Sequence, residues 1–326
     1  MRPFRALAFA ALLAAPSACS AAPTTADGHP ILASNLGDVR QLVASGGYVY
    51  LAEPDSAGAQ TSTIARVPDG GGTAQPLVSG VAEVTALAVD GETVYWTDEN
   101  GALNAVPASG VAPGESPRVI ATKLASPTAV AVAGGAPYVL ETSDKLATSI
   151  VGFGAGGTDP VAMASASSGA ILALVGDGSA IYFADDRFDC PAPSCSTVYR
   201  YVPGAGAPTA LFTTPMLVTE LATDGSRLYA GGQDPSNTQQ IVVVPTAGGD
   251  VQTLAPGLAH LDAMAASSDG VYYADWTAGV WKQPLSGGAP VQVTTEPSPR
   301  MASDDSGVYA LDVQEPLGVV LIAASR

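Results

Sequence analysis

One short phrase occurs seven times in this 326-residue chain. It passes through a glycine-containing turn, reaches an apolar residue and a tyrosine, and closes three residues later, usually on an acid. The copies are GGYVYLAE ending at Glu53, DGETVYWTD at Asp98, GGAPYVLE at Glu141, DGSAIYFAD at Asp185, DGSRLYAGG at Gly232, SDGVYYAD at Asp275 and DSGVYALD at Asp312. The aligned tyrosines are Tyr50, Tyr95, Tyr138, Tyr182, Tyr229, Tyr272 and Tyr309, at steps of 45, 43, 44, 47, 43 and 37 residues. A self-similar period of this length, built from strands and turns, is the pattern of a β-propeller. The expectation is an all-β, seven-bladed propeller with four-stranded antiparallel blades.

One period shows how a blade is written. Residues 84–122 read as four strands: VTALAVDG, TVYWTD, GALNAVPASG and PRVIATK. Asp90-Gly91 is a short-hairpin signal, because both central positions of a type I′ turn need positive φ. The signal recurs at Gly46-Gly47, Gly134-Gly135, Asp177-Gly178, Asp224-Gly225, Asp269-Gly270 and Ser306-Gly307. Third strands can be counted seven times, ending with GVVLIAA, but fourth strands only six times before the C-terminus. The missing copy stands at the other end, in PILAS of Pro30–Ser34. The N-terminal strand should therefore complete the last blade in a 3+1 closure, with Ile31–Ala33 beside Val319–Ala323. Such a ring removes two exposed sheet edges. The propeller is assigned to residues 30–326. A hydrophobic content of 47% is enough to give it a core, and excludes a disordered chain.

The formal net charge is −17, and −19 without the two arginines of segment 1–18. Such a surface repels phosphate backbones and anionic lipid, so nucleic acid is excluded as a partner. Residues 1–18 read as a signal peptide: Arg2 and Arg5, the apolar run Ala6–Ala15, then small residues. The run is too short for a stable membrane span. Cys19 follows Pro16, Ser17 and Ala18, and this segment resembles a bacterial lipoprotein signal. The resemblance implies acylation of Cys19 and a tether over 19–29; ordinary cleavage after Ala21 or Ala22 is the alternative. The other two cysteines, Cys190 and Cys195, would pair in an oxidising compartment and leave Cys19 odd. The chain is thus expected to be exported, as a lipoprotein of the bacterial outer membrane or periplasm, or secreted.

Tyr95-Trp96-Thr97-Asp98 resembles the YWTD motif of low-density-lipoprotein-receptor-type propellers, and Tyr182–Asp185 and Tyr272–Asp275 are related spellings. The chain is also similar to bacterial NHL- and YVTN-like propellers. What the resemblance implies is the fold and a binding role. The receptor family has six blades, against seven counted here. Tyr95, Tyr182 and Trp96 suit packing between neighbouring sheets, and Trp276 and Trp281 are read the same way.

Successive antiparallel strands alternate direction, so second-to-third and fourth-to-first connections share one face of the disc. That loop face carries the irregular stretches Pro54–Ser62, Asp186–Thr197 and Gln233–Gln239, whereas the opposite connections look tight. It is the expected site, because variable loops on a rigid scaffold commonly carry function. The candidate acids there are Glu53, Asp98, Glu141, Asp185, Asp186, Asp189, Asp275 and Asp312. They would accept hydrogen bonds tying adjacent blades, as the YWTD resemblance supports, or form an acidic crown for a cation or basic ligand. Calcium would fit best at Asp185, Asp186 and Asp189, although the spacing matches no known calcium loop. Only His29, in the tether, and His260 are histidines, and the inner strands are rich in Ala and Val, so little acid–base chemistry is available. The expected function is a non-catalytic, monomeric cell-envelope propeller binding a protein, peptide or glycan on its loop face. The rival is a carboxylate- or metal-dependent hydrolase or lactonase of propeller type.

Overall fold

The computed structural model describes residues 23–56, 59–112, 114–154, 160–166, 168–187, 195–313 and 317–324. Among these residues there is no helix, and hence none long and apolar enough to cross a membrane. Twenty-eight strands form seven antiparallel sheets of four. The blades span 41–82, 84–121, 127–165, 171–214, 217–258, 263–294 and 301–324, the last taking Ile31–Ser34 as its fourth strand. First strands pack beside one another in a closed circuit, from Gln41–Ser45 of blade one round to Met301–Ser303 of blade seven and back. They therefore surround the axis.

The closure reads as expected. Ile31 faces Val320, Ala33 faces Val319 and Ser34 faces Gly318, with a bulge between Ile31 and Ala33. Leu32 and Ala33 are buried in the seam between blades seven and one, against Val49, Leu51, Val67 and Tyr309. Gly72 N also donates to Leu32 O across 2.9 Å, so the first strand is held from both sides of that seam.

The repeat tyrosines explain the period. Each lies in the apolar seam between its own blade and the next: Tyr50, Tyr95, Tyr138, Tyr182, Tyr229, Tyr272 and, across the closure, Tyr309. None is more than 5% exposed. A ring that large and flat fills the space between two sheets diverging from a common axis, which smaller side chains leave open. Trp96 is buried between blades one and two, and Trp281 packs between blades five and six. Trp276 differs from the expectation: it is 56% exposed, on the turn after Asp275, beyond the end of any seam.

Buried hydroxyls add a second tie. Ser62, Thr148 and Ser196, near the start of their third strands, accept the main-chain N–H of Val84, Ile171 and Val218, which open the next blades. Each bond satisfies a donor that the sheet ladder leaves unpaired.

The turns depart from the sequence reading in two ways. In blade two the central pair is Gly91-Glu92, because Asp90 still pairs with Thr93. Gly46, Gly47, Gly134 and Gly135 do take positive φ, as type I′ turns require. The third-to-fourth connections are not tight: 108–117 is longer than any described connection on the loop face. Conversely, the ends of the irregular loop-face stretches are paired strand, since ladders run out to Pro54↔Ser62, Arg187↔Cys195 and Gln233↔Gln239.

Candidate functional site, the mouth of the loop face

Most second-strand acids are committed to local structure. Asp98 Oδ1 accepts the N–H groups of Asn100 and Ala102, and Oδ2 accepts Asn104 Nδ2 at 2.9 Å. Asp275 Oδ1 accepts Thr277 N and Thr277 Oγ1. Glu53 accepts Gly37 N at 2.6 Å; Glu141 accepts Ala125 N and Ser149 Oγ. Glu53 and Glu141 hold the connections entering their blades, whereas Asp98 and Asp275 hold the turns between the second and third strands of theirs. Asp312 also has a partner within the fold.

Asp185 and Asp186 are both buried, at 3% and 4% exposure. Burial first, and then the neighbouring Asp185, raise the Asp186 carboxyl above the usual range, and its Oδ1 has no hydrogen-bond partner. Asp189 and Cys190 lie outside the described residues, as does Cys19; Cys195 opens its strand in a buried position. No described group of three or more His, Cys, Asp or Glu side chains is placed to hold a metal ion. His260 is exposed, and His29 reaches Val293 O through Nε2 at 3.0 Å. The described part of the expected tether thus lies on the outer strand of blade six, where Asp27 Oδ2 also accepts Thr294 Oγ1 and Thr295 N.

A different set of residues gathers at the axis. The first strands of blades two to five each carry a bulge at their loop-face end, at Thr85, Thr128, Leu172 and Thr219. A bulge re-aims side chains and interrupts pairing. Thr128, Leu172 and Thr219 are exposed there. Glu220 follows the last bulge and is half-buried. Burial pushes its carboxyl up to about 7, Arg300 opposes this, and Asp262 adds to it. Arg300 Nε donates to Arg40 O at 3.0 Å and Nη1 donates to Pro299 O at 3.1 Å. Arg40 pairs with Glu83 and, at 3.5 Å, with Asp38. Asp262 Oδ2 accepts Trp276 N at 2.7 Å.

Sequence reasoning missed this set. Arg40, Glu83, Asp262 and Arg300 each stand directly before a first strand, so their equivalence shows only once blade boundaries are known. A charged residue just upstream of four of the seven inner strands was the available signal.

Exposed apolar residues divide between the outer strands and the same face. Of the described large apolar residues that are well exposed, Val119, Val161, Val251 and Val291 lie on or next to outermost strands. Leu146, Leu172 and Trp276 lie at the loop face. Leu146 is 78% exposed and has φ of 61°, a left-handed conformation that costs a leucine about 1–2 kcal/mol.

Seven sheets around one axis, sealed by the N-terminal strand, define a seven-bladed β-propeller. No family model and no curated protein matches the chain. Solved structures do resemble it. A chain of a nidogen/laminin complex aligns with TM-score 0.51 and 16% identity, over 77% of this chain and 92% of that one. YCF48 bound to D1 peptide aligns with TM-score 0.57 and 14% identity, over 91% and 95%. The acylaminoacyl peptidase of Pyrococcus horikoshii aligns with TM-score 0.63 and 10% identity, over 88% of this chain and 52% of its own length. This chain thus spans about half of that peptidase. At these identities the likeness is one of fold.

Proposed function

We propose that this chain is an exported, non-catalytic propeller, anchored to the cell envelope through acylated Cys19, that binds a protein, peptide or glycan partner on its loop face. The observation that carries the reading is the placement of Leu146, Leu172 and Trp276. Away from the outer strands, the exposed large apolar side chains of the described chain all lie on this one face, on blades three, four and six. Exposed apolar surface framed by polar residues is what association uses. Chains of similar fold occur in a nidogen/laminin complex and in YCF48 bound to D1 peptide, which supports a partner-binding role. The test is affinity capture from native envelopes with quantitative mass spectrometry. A partner enriched by the wild type should be lost from a Leu146→Ser, Trp276→Ser double variant and kept by Val119→Ser, which changes an outer strand. Equal loss from both would remove the reading. Mass spectrometry of the mature N-terminus tests the anchor, which predicts acyl chains on Cys19 that Cys19→Ser abolishes.

A second reading has one observation behind it. Glu220, half-buried at the axis with its carboxyl near neutrality, is suited to general acid–base work in a hydrolase or lactonase. Turnover of a panel of esters and lactones, abolished by Glu220→Gln, would favour it over a binding module.

A further inference from the structure

Three features of the loop-face mouth point to one ligand chemistry. The first is Glu220. No hydrogen bond within the described chain reaches its half-buried carboxyl, whereas most acids of the second-strand series are held by local donors. A carboxylate that its own chain leaves without donors is open to accept them from a ligand. The second is the state of the nearby cations. Arg300 binds the carbonyls of Arg40 and Pro299, and Arg40 is paired with Glu83 and Asp38. Neither forms an ion pair with Glu220 or Asp262, so the two acids keep a negative surplus at the mouth. The third is Trp276. Its main chain is pinned to Asp262 at 2.7 Å while more than half of its surface stays in solvent. An exposed indole on a turn anchored by a carboxylate can present its face to a cation, which it favours over a neutral or anionic group.

We propose that the mouth receives one cationic side chain, a lysine or arginine of the protein partner, with Glu220 as its counter-ion and Trp276 at its flank. The proposal rests on the loop-face binding reading and names the partner's chemistry. The bulge at Thr219 places Glu220 at the inner end of the site, and Asp262 holds the turn that carries Trp276. The facing charged groups are Arg300, which favours the ionised carboxyl, and Asp262, which opposes it. With Glu220 titrating near 7, a cation arriving at neutral pH drives off a proton. Affinity therefore rises with pH and levels off above about 8. Below the pKa it is scaled by the ionised fraction, so binding at pH 6 is about tenfold weaker than at pH 8.

The experiment is calorimetric titration of the mature protein with a short glycine–lysine peptide, and with the same peptide acetylated on its lysines. At pH 7, in two buffers of different ionisation heat, binding should release about half a proton per site. Glu220→Gln should weaken the lysine peptide about tenfold and abolish the proton release. Trp276→Ala, at an exposed position, should weaken it several-fold without altering the fold. Asp305→Asn, an equal change of net charge at an exposed turn on the opposite face, should leave it within about twofold. Similar losses from Glu220→Gln and Asp305→Asn would overturn the proposal, since attraction would then come from bulk charge. So would equal binding of the acetylated peptide, or no binding at all. Those results would leave the loop-face reading intact if captured partners still depend on Leu146 and Trp276.

Discussion

Tyr182 donates its phenolic hydroxyl to Oδ2 of Asp177 across 2.8 Å, and the pair recurs five residues apart as Tyr229 on Asp224 and Tyr309 on Asp304. The same aspartates cap their hairpins from within, accepting the N–H groups of Ser179 and Ala180, Ser226 and Arg227, or Ser306 and Gly307. One carboxylate thus fixes a turn and orients the ring that fills the seam to the next blade. Tyr182→Phe should cost about 1 kcal/mol, because Asp177 keeps its other donors; Asp177→Ala, which orphans the turn, should cost about 2–3 kcal/mol. Chemical denaturation of the two variants measures the order.

The phenols carry an alkaline signature. Burial first, and the Asp177 bond next, push Tyr182 up to about 12, and burial also brings Tyr138 and Tyr273 to about 12. A folded pKa above the unfolded value of about 10 means stability that is complete below pH 10. It should be lost as pH rises from 10 towards 12. Absorbance at the tyrosinate band should show these rings ionising late, together with unfolding monitored by circular dichroism.

Acid acts on the other half of the pair. Burial alone would raise Asp177, but donors from Ser179, Tyr182 and Ala180 outweigh it and hold the carboxyl below its usual range. For Asp269 burial likewise acts upward, and Lys282 and Ser267 outweigh it. Lowered folded values mean stability present above about pH 4 and lost as pH falls through the folded pKa. The melting temperature should fall below pH 4, with Asp177→Asn flattening part of that fall.

Leu32→Ala should destabilise by about 2–4 kcal/mol, because it removes a 5%-exposed side chain from the seam that the closing strand completes. Limited proteolysis should then start at the N-terminal strand. An initial cut elsewhere in the ring would show that blade seven is not the weak seam.

Ser196→Ala leaves the buried N–H of Val218 without its acceptor at 2.9 Å. The expected loss is about 1–3 kcal/mol. Hydrogen exchange at the amide of Val218 should speed up well before global unfolding.

Leu146→Gly should stabilise the protein by up to about 1 kcal/mol by relieving left-handed strain at an exposed leucine, while weakening capture of the partner. Stabilisation with unchanged capture would detach Leu146 from function.

Blade number, strand order and the N-terminal closure were legible because the tyrosine seams impose a period and the fourth strand was visibly short by one copy. The roles of Tyr95, Tyr182 and Trp96 followed from the same packing logic. The mouth was not legible. Glu220 sits inside an inner strand that otherwise holds only apolar residues and threonine, and a bulge, invisible to a period-two pattern, decides which way it turns. Arg40 and Arg300 look like loop charges until the ring brings them within hydrogen-bond reach. Trp276 reads as packing in the sequence because a tryptophan near a strand end usually packs. The long third-to-fourth connections were missed because their Pro and Gly residues resemble tight turns.

The pairing of Ile31 with Val320 makes the ring a test of its own completeness. A ribosome delivers Ile31–Ser34 before every other strand of the ring and Gly318–Ala324 after them, so the closing strand must wait for its neighbour until the intervening blades have been made. A product cut short of Gly318 would carry an unmatched sheet edge at one end and a stray strand at the other, two features that invite proteases and mispairing. Only a polypeptide finished to its final blade can hide both ends at once.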